Sequence, residues 1–188
     1  MRTICIVTAT RAEYGLLRPV VQKVAASDEL DLQLVVTGAH LCPRLGETVH
    51  EIENDGFPIA ARLPIFTDDA DEPVACTIAR TINVFDSYFT AHRPDAVLLL
   101  GDRFEIFAVA TRHIPIAHIS GGDVTLGAAD EYYRHCISKM AAVHFPSCAD
   151  SAARLVRMGE APDTVFCVGG LGDENIRTLP KMSREELC

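Results

Sequence analysis

The chain has 188 residues, of which 48% are apolar and 23% charged, and its formal net charge is −9. This composition is typical of one globular domain with a sizeable core and excludes a disordered or fibrous chain. No apolar stretch approaches the roughly 18 residues that span a bilayer, and the 17 Lys and Arg residues form no basic run. We therefore expect neither a membrane nor a nucleic acid as partner. Because no apolar signal-peptide core follows Met1, we expect the protein in the cytoplasm.

The cysteines do not form a recognisable framework. Their number is odd, they are scattered, and no pair has the C-x-x-C spacing, so neither a zinc site nor a set of disulfides is predicted. Most lie in apolar segments, which predicts that they act as small buried hydrophobes in a reducing compartment. The seven are Cys5, Cys42, Cys76, Cys136, Cys148, Cys167 and Cys188.

The first half of the chain alternates short apolar strands with amphipathic helices. In the first helix, Leu16, Leu17, Val20, Val21 and Val24 recur at helical spacing. Strands are predicted at 3–8, 30–36, 59–66 and 96–100, and helices at 11–26, 46–54 and from about 78 to 93, where Arg93-Pro94 ends the last one.

The same alternation continues in the second half. Helices are predicted at 102–113, 130–140 and 150–158, strands at 114–119, 142–145 and 164–168, and a glycine-containing loop at 120–127. A last helix is predicted to begin at a Ser183 cap, with Glu186 at the capping-box position. Strands that are apolar on both faces and alternate with helices predict a parallel sheet covered on both sides, an α/β fold with a Rossmann-like doubly wound sheet.

In such a sheet, ligands bind beyond the carboxyl ends of the strands, so the polar residues that follow each strand are candidates for a site. The segment 8–15 after the first strand has neither the G-x-G-x-x-G pattern of dinucleotide binders nor the G-K-[ST] of a P-loop, which argues against NAD binding and ATP hydrolysis. Arg11 at a helix N-terminus would still favour an anion such as phosphate. The alternative is a surface pair with Glu13.

Three further segments place polar residues at this edge. Asp102 begins a helix and is either a cap or an acid–base group. Gly121 and Gly122 either let the backbone approach a ligand or form a plain turn. Asp130 and Arg134 have the i,i+4 spacing of a helical ion pair, which on an exposed face has no catalytic meaning.

Together these segments place carboxylates, glycine backbone and three arginines along one edge of the sheet. That combination suits a sugar nucleotide, because arginines bind a diphosphate and paired carboxylates perform acid–base chemistry at the sugar. The arginines are Arg11, Arg103 and Arg134.

Several ordered motifs resemble the hydrolysing UDP-N-acetylglucosamine 2-epimerases of bacterial sialic-acid and related nonulosonic-acid synthesis. The similarity covers nearly the whole chain, and ordered blocks are more specific than any single one. They are TRAEYGLLRP (10–19), VTGAHL (36–41), GDRFE (101–105), HISGGDVT (118–125), DE, RH and SK within 130–139, VHF (143–145), MGE (158–160) and VGG (168–170).

The resemblance implies the N-terminal half of a glycosyltransferase-B-like enzyme, in which two Rossmann-like domains enclose the active site. Residues 1–175 would form the N-terminal domain and 176–188 the start of the interdomain connection, with the second domain absent from the sequence. No metal is implied, and no cofactor beyond the substrate's own nucleotide. A domain that normally docks a partner leaves an apolar patch uncovered, so we expect a homo-oligomer, a dimer.

The family's reaction implies roles for particular residues. UDP leaves C1 as the proton on C2 is removed, and water then adds to the resulting 2-acetamidoglycal to release N-acetylmannosamine and UDP. Asp102 and Asp130 correspond to catalytic carboxylates. The three arginines named above correspond to contacts with the diphosphate or with the carboxylates, and Arg134 would hold Asp130 ionised.

Three departures from the family pattern concern the site. Ser120 replaces a glutamate that often precedes Gly121-Gly122, so that acid–base function is either missing or supplied by Asp123. The resemblance implies that the two glycines contact the substrate. The helix after Asp102 is also expected to be a turn shorter than usual. The third departure is the absent second domain, which normally supplies further contacts to the nucleotide.

Two alternatives stay open. The same chemistry could act on a UDP-2,4-diacetamido-trideoxyhexose of the legionaminic-acid route, since sugar-specificity residues are not legible in the sequence. The chain could also be a non-catalytic half-domain, which Ser120 and the missing second domain favour.

Overall fold

The computed structural model describes residues 1–178 and contains one sheet of six parallel strands. The spatial order is β3-β2-β1-β4-β5-β6, the strand order of a doubly wound Rossmann sheet, which confirms the predicted fold class. The strands are β1 (Arg2–Thr8), β2 (Leu30–Thr37), β3 (Ile59–Leu63), β4 (Ala96–Leu100), β5 (Ile116–Ile119) and β6 (Val143–Phe145).

Helices cover both faces of the sheet. They are α1 (Arg11–Ala25), α2 (Val49–Asn54), α3 (Val74–Ala91), α4 (Phe104–Ala110), α5 (Asp130–Met140), α6 (Ala149–Arg157) and α7 (Leu171–Thr178), with 3-10 turns at Gly38–Leu41, Pro43–Leu45 and Pro162–Thr164. Within the described part of the chain, no helix is long and apolar enough to cross a membrane.

The hydrophobic core consists of two layers, one on each face of the sheet. Successive residues of a strand point to opposite faces, so Cys5 and Val7 of β1 join one layer while Ile6 joins the other. The first layer is filled by Phe85 and Phe89 of α3, whose rings lie 5.6 Å apart. Burial on both faces explains why the strands lack the alternation of a half-exposed sheet.

The predicted strand at 164–168 is wrong. The segment forms the 3-10 turn Pro162–Thr164 and then a single bridge between Val165 and His144, with the Phe166 N–H donating to the His144 carbonyl at 2.9 Å. Phe166 and Val168 are 50% and 58% exposed. The Phe166 ring lies 6.1 Å from that of Phe145, but the segment pairs with β6 at a single bridge, so its apolar residues do not extend the sheet.

Several element boundaries also differ from the predictions. Helix α4 covers only Phe104–Ala110 of the predicted 102–113, because the chain turns back at Arg112, whose carbonyl accepts from the Ile114 N–H at 2.8 Å. Helix α2 begins at Val49 rather than at residue 46. Helix α7 was not predicted and runs across the expected domain boundary at residue 175. The predicted helix at Ser183 lies outside the described residues.

The expectation that most cysteines are buried hydrophobes is wrong for the described part of the chain. Cys5 and Cys42 are buried, but the other four described cysteines are exposed, since they lie on outward faces of α3 and α5, at the N-cap of α6 or in the segment after α6. These four are Cys76, Cys136, Cys148 and Cys167.

The α3 layer gives a test of the core. Phe85 is 1% exposed, so Phe85→Ala should lower the free energy of unfolding by about 3–5 kcal/mol, through lost burial and the cavity left behind. Tyr132→Ala, at an aromatic residue that is 75% exposed, should change it by less than about 0.5 kcal/mol. Urea denaturation measures both, and similar losses for the two variants would contradict this description of the core.

Candidate active site

A buried arginine on α5 joins the loops at the carboxyl edge of the sheet. Arg134 is 6% exposed and forms an ion pair with Asp102, the second residue after β4. Its guanidinium also lies 3.2 Å from Glu131 Oε2 and donates to Thr125 Oγ1 at 2.8 Å. Burial lowers the pKa of Arg134, and its Nε has no hydrogen-bond partner in the described structure. The structure therefore brings together Asp102 and Arg134, two of the predicted site residues.

The predicted pairing of Arg134 with Asp130 is wrong, because Arg134 reaches across to the loop after β4 instead. A long helical side chain points back toward the helix N-terminus, where Glu131 and the loop at Thr125 receive the guanidinium. The charge of Asp130, the first residue of α5, helps to raise the pKa of Arg103. Arg134 therefore holds Asp102, rather than Asp130, in place.

Arg103 is held by a carboxylate that the sequence analysis did not single out. Glu105 is fully buried and accepts two hydrogen bonds from the Arg103 guanidinium, from Nη2 at 2.8 Å and from Nε at 3.2 Å. Burial alone would lower the pKa of Arg103, but this pair and the charges of Glu13 and Asp130 raise it. The GDRFE block contained the signal, since an arginine two residues before a buried acid can fold back onto it.

The start of α1 is already occupied by a carboxylate of the chain. Glu13 Oε2 accepts from the Ala9 and Thr10 N–H groups, both at 3.0 Å, and the Thr10 side chain accepts from the Glu13 N–H, which forms a capping box. Two N–H groups beside the predicted phosphate site are thereby satisfied from within. Arg11 is exposed and lies 2.6 Å from Glu51 Oε1, so the alternative of an Arg11–Glu13 pair is wrong.

Glu13 is also electrostatically unusual. It is buried, and its Oε1 has no hydrogen-bond partner in the described structure. Burial raises its pKa from 4.5 to about 7, with the nearby Glu105 adding to the rise while the Ala9 N–H opposes it.

Asp123 anchors the beginning of α6. Its Oδ1 accepts hydrogen bonds from Ser147 Oγ at 2.8 Å and from Ser151 Oγ at 2.6 Å. Both bonds fall on the same oxygen, so Oδ2 faces no described donor at hydrogen-bond distance. A catalytic role for Asp123 stays a prediction, and the structure adds a second task of joining the loop after β5 to α6.

The glycines after β5 are required by packing. A Cβ on Gly121 would lie 2.9 Å from His118 Nδ1 and 3.1 Å from Ser138 Oγ, and a Cβ on Gly122 would overlap the Ser151 carbonyl oxygen. Ser120 has a φ of +62°, a left-handed conformation that is rare outside glycine. Contact of the glycines with substrate stays a prediction, while close approach within the chain already explains them.

Two buried histidines, neither of them predicted as a site residue, are His118 in β5 and His40 in the 3-10 turn after β2. His118 Nε2 lies 2.7 Å from the Gly101 carbonyl oxygen, and its Nδ1 lies 3.2 Å from Ser138 Oγ. His40 lies between the hydroxyls of Thr8 and Thr48, at 3.0 and 2.8 Å. Burial lowers the pKa of each histidine from 6.5 to about 4, so both are neutral at physiological pH.

Comparison with known proteins identifies the family. The family model described as UDP-N-acetylglucosamine 2-epimerase matches residues 22–187. The chain belongs to this family. Its relatives include proteins named as hydrolysing epimerases of a different sugar.

Two of these relatives align with almost the whole chain. A protein from Campylobacter jejuni named GDP/UDP-N,N'-diacetylbacillosamine 2-epimerase (hydrolyzing) is 39% identical over 99% of the chain and 50% of its own length. A UDP-N,N'-diacetylbacillosamine 2-epimerase (hydrolyzing) from Legionella pneumophila is 40% identical over 98% of the chain and 50% of its own length. The chain thus spans about half the length of the curated relatives it matches.

Solved structures agree on the fold. The UDP-GlcNAc 2-epimerase from Neisseria meningitidis, solved with UDP-GlcNAc, superposes with a TM-score of 0.78 at 20% identity, over 94% of this chain and 50% of that chain. The galactosyltransferase WaaB superposes with a TM-score of 0.60 at 12% identity, over 90% of this chain and 45% of that one. The epimerase family member described here thus has the fold of one half of a glycosyltransferase-B-like protein.

Two glycines of the chain, one closely packed and one not, give a second test. Gly122 and Gly127 both have positive φ, +77° and +81°, but a Cβ meets other atoms only at Gly122. Gly127→Ala should lower the free energy of unfolding by about 1–2 kcal/mol from backbone strain. Gly122→Ala should cost about 1–3 kcal/mol more from overlap with α6. Equal losses in urea denaturation would show that packing does not require Gly122.

Glu13 gives a pH-dependent test. Its folded pKa lies above its unfolded value, so the folded state binds the proton more tightly, and this contribution to stability falls as the pH rises from 4.5 to about 7. Glu13→Gln removes the titration and can keep an acceptor for the Ala9 and Thr10 N–H groups. We expect Glu13→Gln to gain stability relative to the wild type across this pH range, measured by urea denaturation. A stability difference that does not change with pH would contradict the raised pKa.

Proposed function

We propose that the chain is the N-terminal half of a hydrolysing sugar-nucleotide 2-epimerase acting on UDP-N-acetylglucosamine, with N-acetylmannosamine and UDP as products. The observation that carries the proposal is the Asp102–Arg134 ion pair at the carboxyl edge of the sheet, where doubly wound folds bind ligands. Family membership supports the reaction class. The sequence identity of 39% and 40% to proteins named as hydrolysing epimerases supports water as the group that adds to the sugar.

The proposed chemistry needs a base and an acid in each of two steps. In the first, a carboxylate removes the proton on C2 while the C1–O bond breaks and its electron pair leaves with UDP, which produces the 2-acetamidoglycal. In the second step, the oxygen of water adds to C1, and an acid delivers a proton to C2 on the face opposite to the one from which the first proton was removed. This produces N-acetylmannosamine. We assign the acid–base roles to Asp102, Asp130 and Asp123, with no cofactor beyond the nucleotide itself.

The arginines divide between substrate and carboxylates in this proposal. Arg134 orients Asp102 through their ion pair. Arg11 is proposed to contact the diphosphate, and Arg103 is proposed to stay paired with the buried Glu105. The backbone at Gly121 and Gly122 is proposed to lie alongside the sugar. The homodimer and the cytoplasmic location expected from the sequence stay predictions.

The diacetamido sugar is a second candidate substrate. The relatives with 39% and 40% identity carry names with N,N'-diacetylbacillosamine, whereas the UDP-N-acetylglucosamine 2-epimerase from Neisseria meningitidis is 30% identical over 90% of this chain and 45% of its own length. We propose to decide by NMR, incubating the chain with each UDP sugar and following free UDP and the released sugar. Each assay is run with the chain alone and with the second half of the Legionella relative added.

The carboxylate at the centre of the proposal gives a direct test. Asp102→Asn keeps the size of the side chain but removes the negative charge and the basic oxygen, so turnover should fall by about a hundredfold or more. Asp28→Asn, at an exposed carboxylate on the opposite edge of the sheet, should retain wild-type turnover. Release of free UDP measures both rates.

The outcomes separate the alternatives. Turnover that is lost only in Asp102→Asn supports the proposed function, and the sugar with the larger kcat/KM identifies the substrate. No turnover with either sugar, even with the second half added, contradicts the epimerase proposal and favours a non-catalytic half-domain.

A further inference from the structure

His118 stands at the junction of three segments that carry the candidate carboxylates. It belongs to β5, is fully buried, and lies directly behind the loops rather than in them. Its two ring nitrogens contact two different segments, the Gly101 carbonyl after β4 and the Ser138 hydroxyl on α5. Gly121, at the start of the third segment, packs against the same ring.

The hydrogen-bond partners fix the tautomer of the ring. A backbone carbonyl only accepts, so His118 Nε2 must carry the proton and donate it to Gly101. In the neutral ring Nδ1 is then an acceptor, and Ser138 Oγ donates to it at 3.2 Å. Burial lowers the pKa of His118 to about 4, which agrees with a neutral ring.

Both backbone polar groups of Gly101 are hydrogen-bonded. Its carbonyl accepts from His118, and its N–H donates to the Ile119 carbonyl at 3.0 Å. Gly101 has a φ of +84°, a backbone conformation that glycine adopts without the steric cost that a side chain would add. Asp102 follows directly, so the direction of its side chain depends on this peptide.

The contacts close into a ring of interactions. Asp102 pairs with Arg134 on α5, and Ser138 lies one helical turn further along the same face of α5. Ser138 donates to His118, and His118 donates to the carbonyl that precedes Asp102. Each contact restrains the next, so the position of Asp102 relative to α5 is fixed twice.

We propose that His118 is a positioning residue for Asp102, acting through the Ser138 hydroxyl on one side and the Gly101 carbonyl on the other. The proposal rests on the proposed function, because it gives Asp102 the acid–base role assigned there. His118 itself touches no reacting atom. It holds the carboxylate so that little reorganisation is needed when the proton moves.

The chain contains a matched control for this arrangement. His40 is equally buried and its Nδ1 also contacts one hydroxyl, that of Thr48, but neither residue belongs to the ring around Asp102. Ser138→Ala and Thr48→Ala each remove one hydroxyl from the Nδ1 of a buried histidine. A general loss of stability should affect both variants, whereas a loss of positioning should affect only Ser138→Ala.

The first readout is ¹⁵N NMR of the full chain without substrate. We expect His118 to carry its proton on Nε2 at neutral pH, and we expect the amide signals of Gly101 and Asp102 to shift in Ser138→Ala but not in Thr48→Ala. A His118 proton on Nδ1, a charged ring, or unchanged Gly101 and Asp102 signals would overturn the proposal.

The second readout is turnover, measured with the second half of the Legionella relative present. Ser138→Ala should lower kcat by about tenfold to a hundredfold, as expected for a misplaced catalytic group, with KM unchanged. Thr48→Ala should keep both constants. Wild-type kcat in Ser138→Ala, or an equal fall in both variants, overturns the positioning role. Absent turnover in the unsubstituted chain contradicts the proposed function instead, and the NMR readout then decides the positioning role alone.

Discussion

The burial of the Arg134 guanidinium is the constraint on which the carboxyl edge of this sheet depends. A buried cation is costly unless it is paired and hydrogen-bonded, so Arg134 needs acceptors within reach. It obtains them from Asp102 after β4, from Glu131 on its own helix and from Thr125 in the preceding loop. Three separate segments are thereby drawn together around one charge, and removal of any acceptor would leave a buried charge less well compensated.

Further buried polar contacts surround the Asp102–Arg134 pair. Glu105 holds Arg103, Glu13 caps α1, and His118 joins Gly101 to α5. These groups are buried, so their interactions are screened by water far less than surface pairs are. The cost of burying Glu13 beside Glu105 appears as its raised pKa. This unfavourable burial of Glu13 lies at the carboxyl edge of the sheet, where doubly wound folds bind ligands.

The sequence predicted the fold well because the strands are apolar on both faces, and this pattern admits few arrangements other than a covered parallel sheet. It failed at 164–168, where a strand-like apolar run follows the last covered strand and stays half exposed. It predicted that Asp102 and Arg134 share one edge, but it paired Arg134 with Asp130, since helical spacing shows which residues are neighbours and not where a long side chain reaches. Glu105, Glu13 and His118 were not recognised, because a buried polar group is apparent only when its neighbours in space are known.

The charges of the arginines limit how a diphosphate could bind at this edge. Each of the three is already paired with a carboxylate of the chain, Arg11 with Glu51, Arg103 with Glu105, and Arg134 with Asp102.

The three pairs differ in how easily they could exchange partners. The pair of Arg11 with Glu51 is exposed, and exposed pairs contribute at most about 1 kcal/mol, so Arg11 can turn to a phosphate at little cost. If Arg103 turned to a phosphate, the buried Glu105 would lose its partner, and if Arg134 did so, a buried guanidinium would lose Asp102. Breaking such a pair costs several times more than breaking an exposed one. The diphosphate should therefore draw on Arg11 and on cations outside these three residues, while Arg103 and Arg134 keep the carboxylates in position.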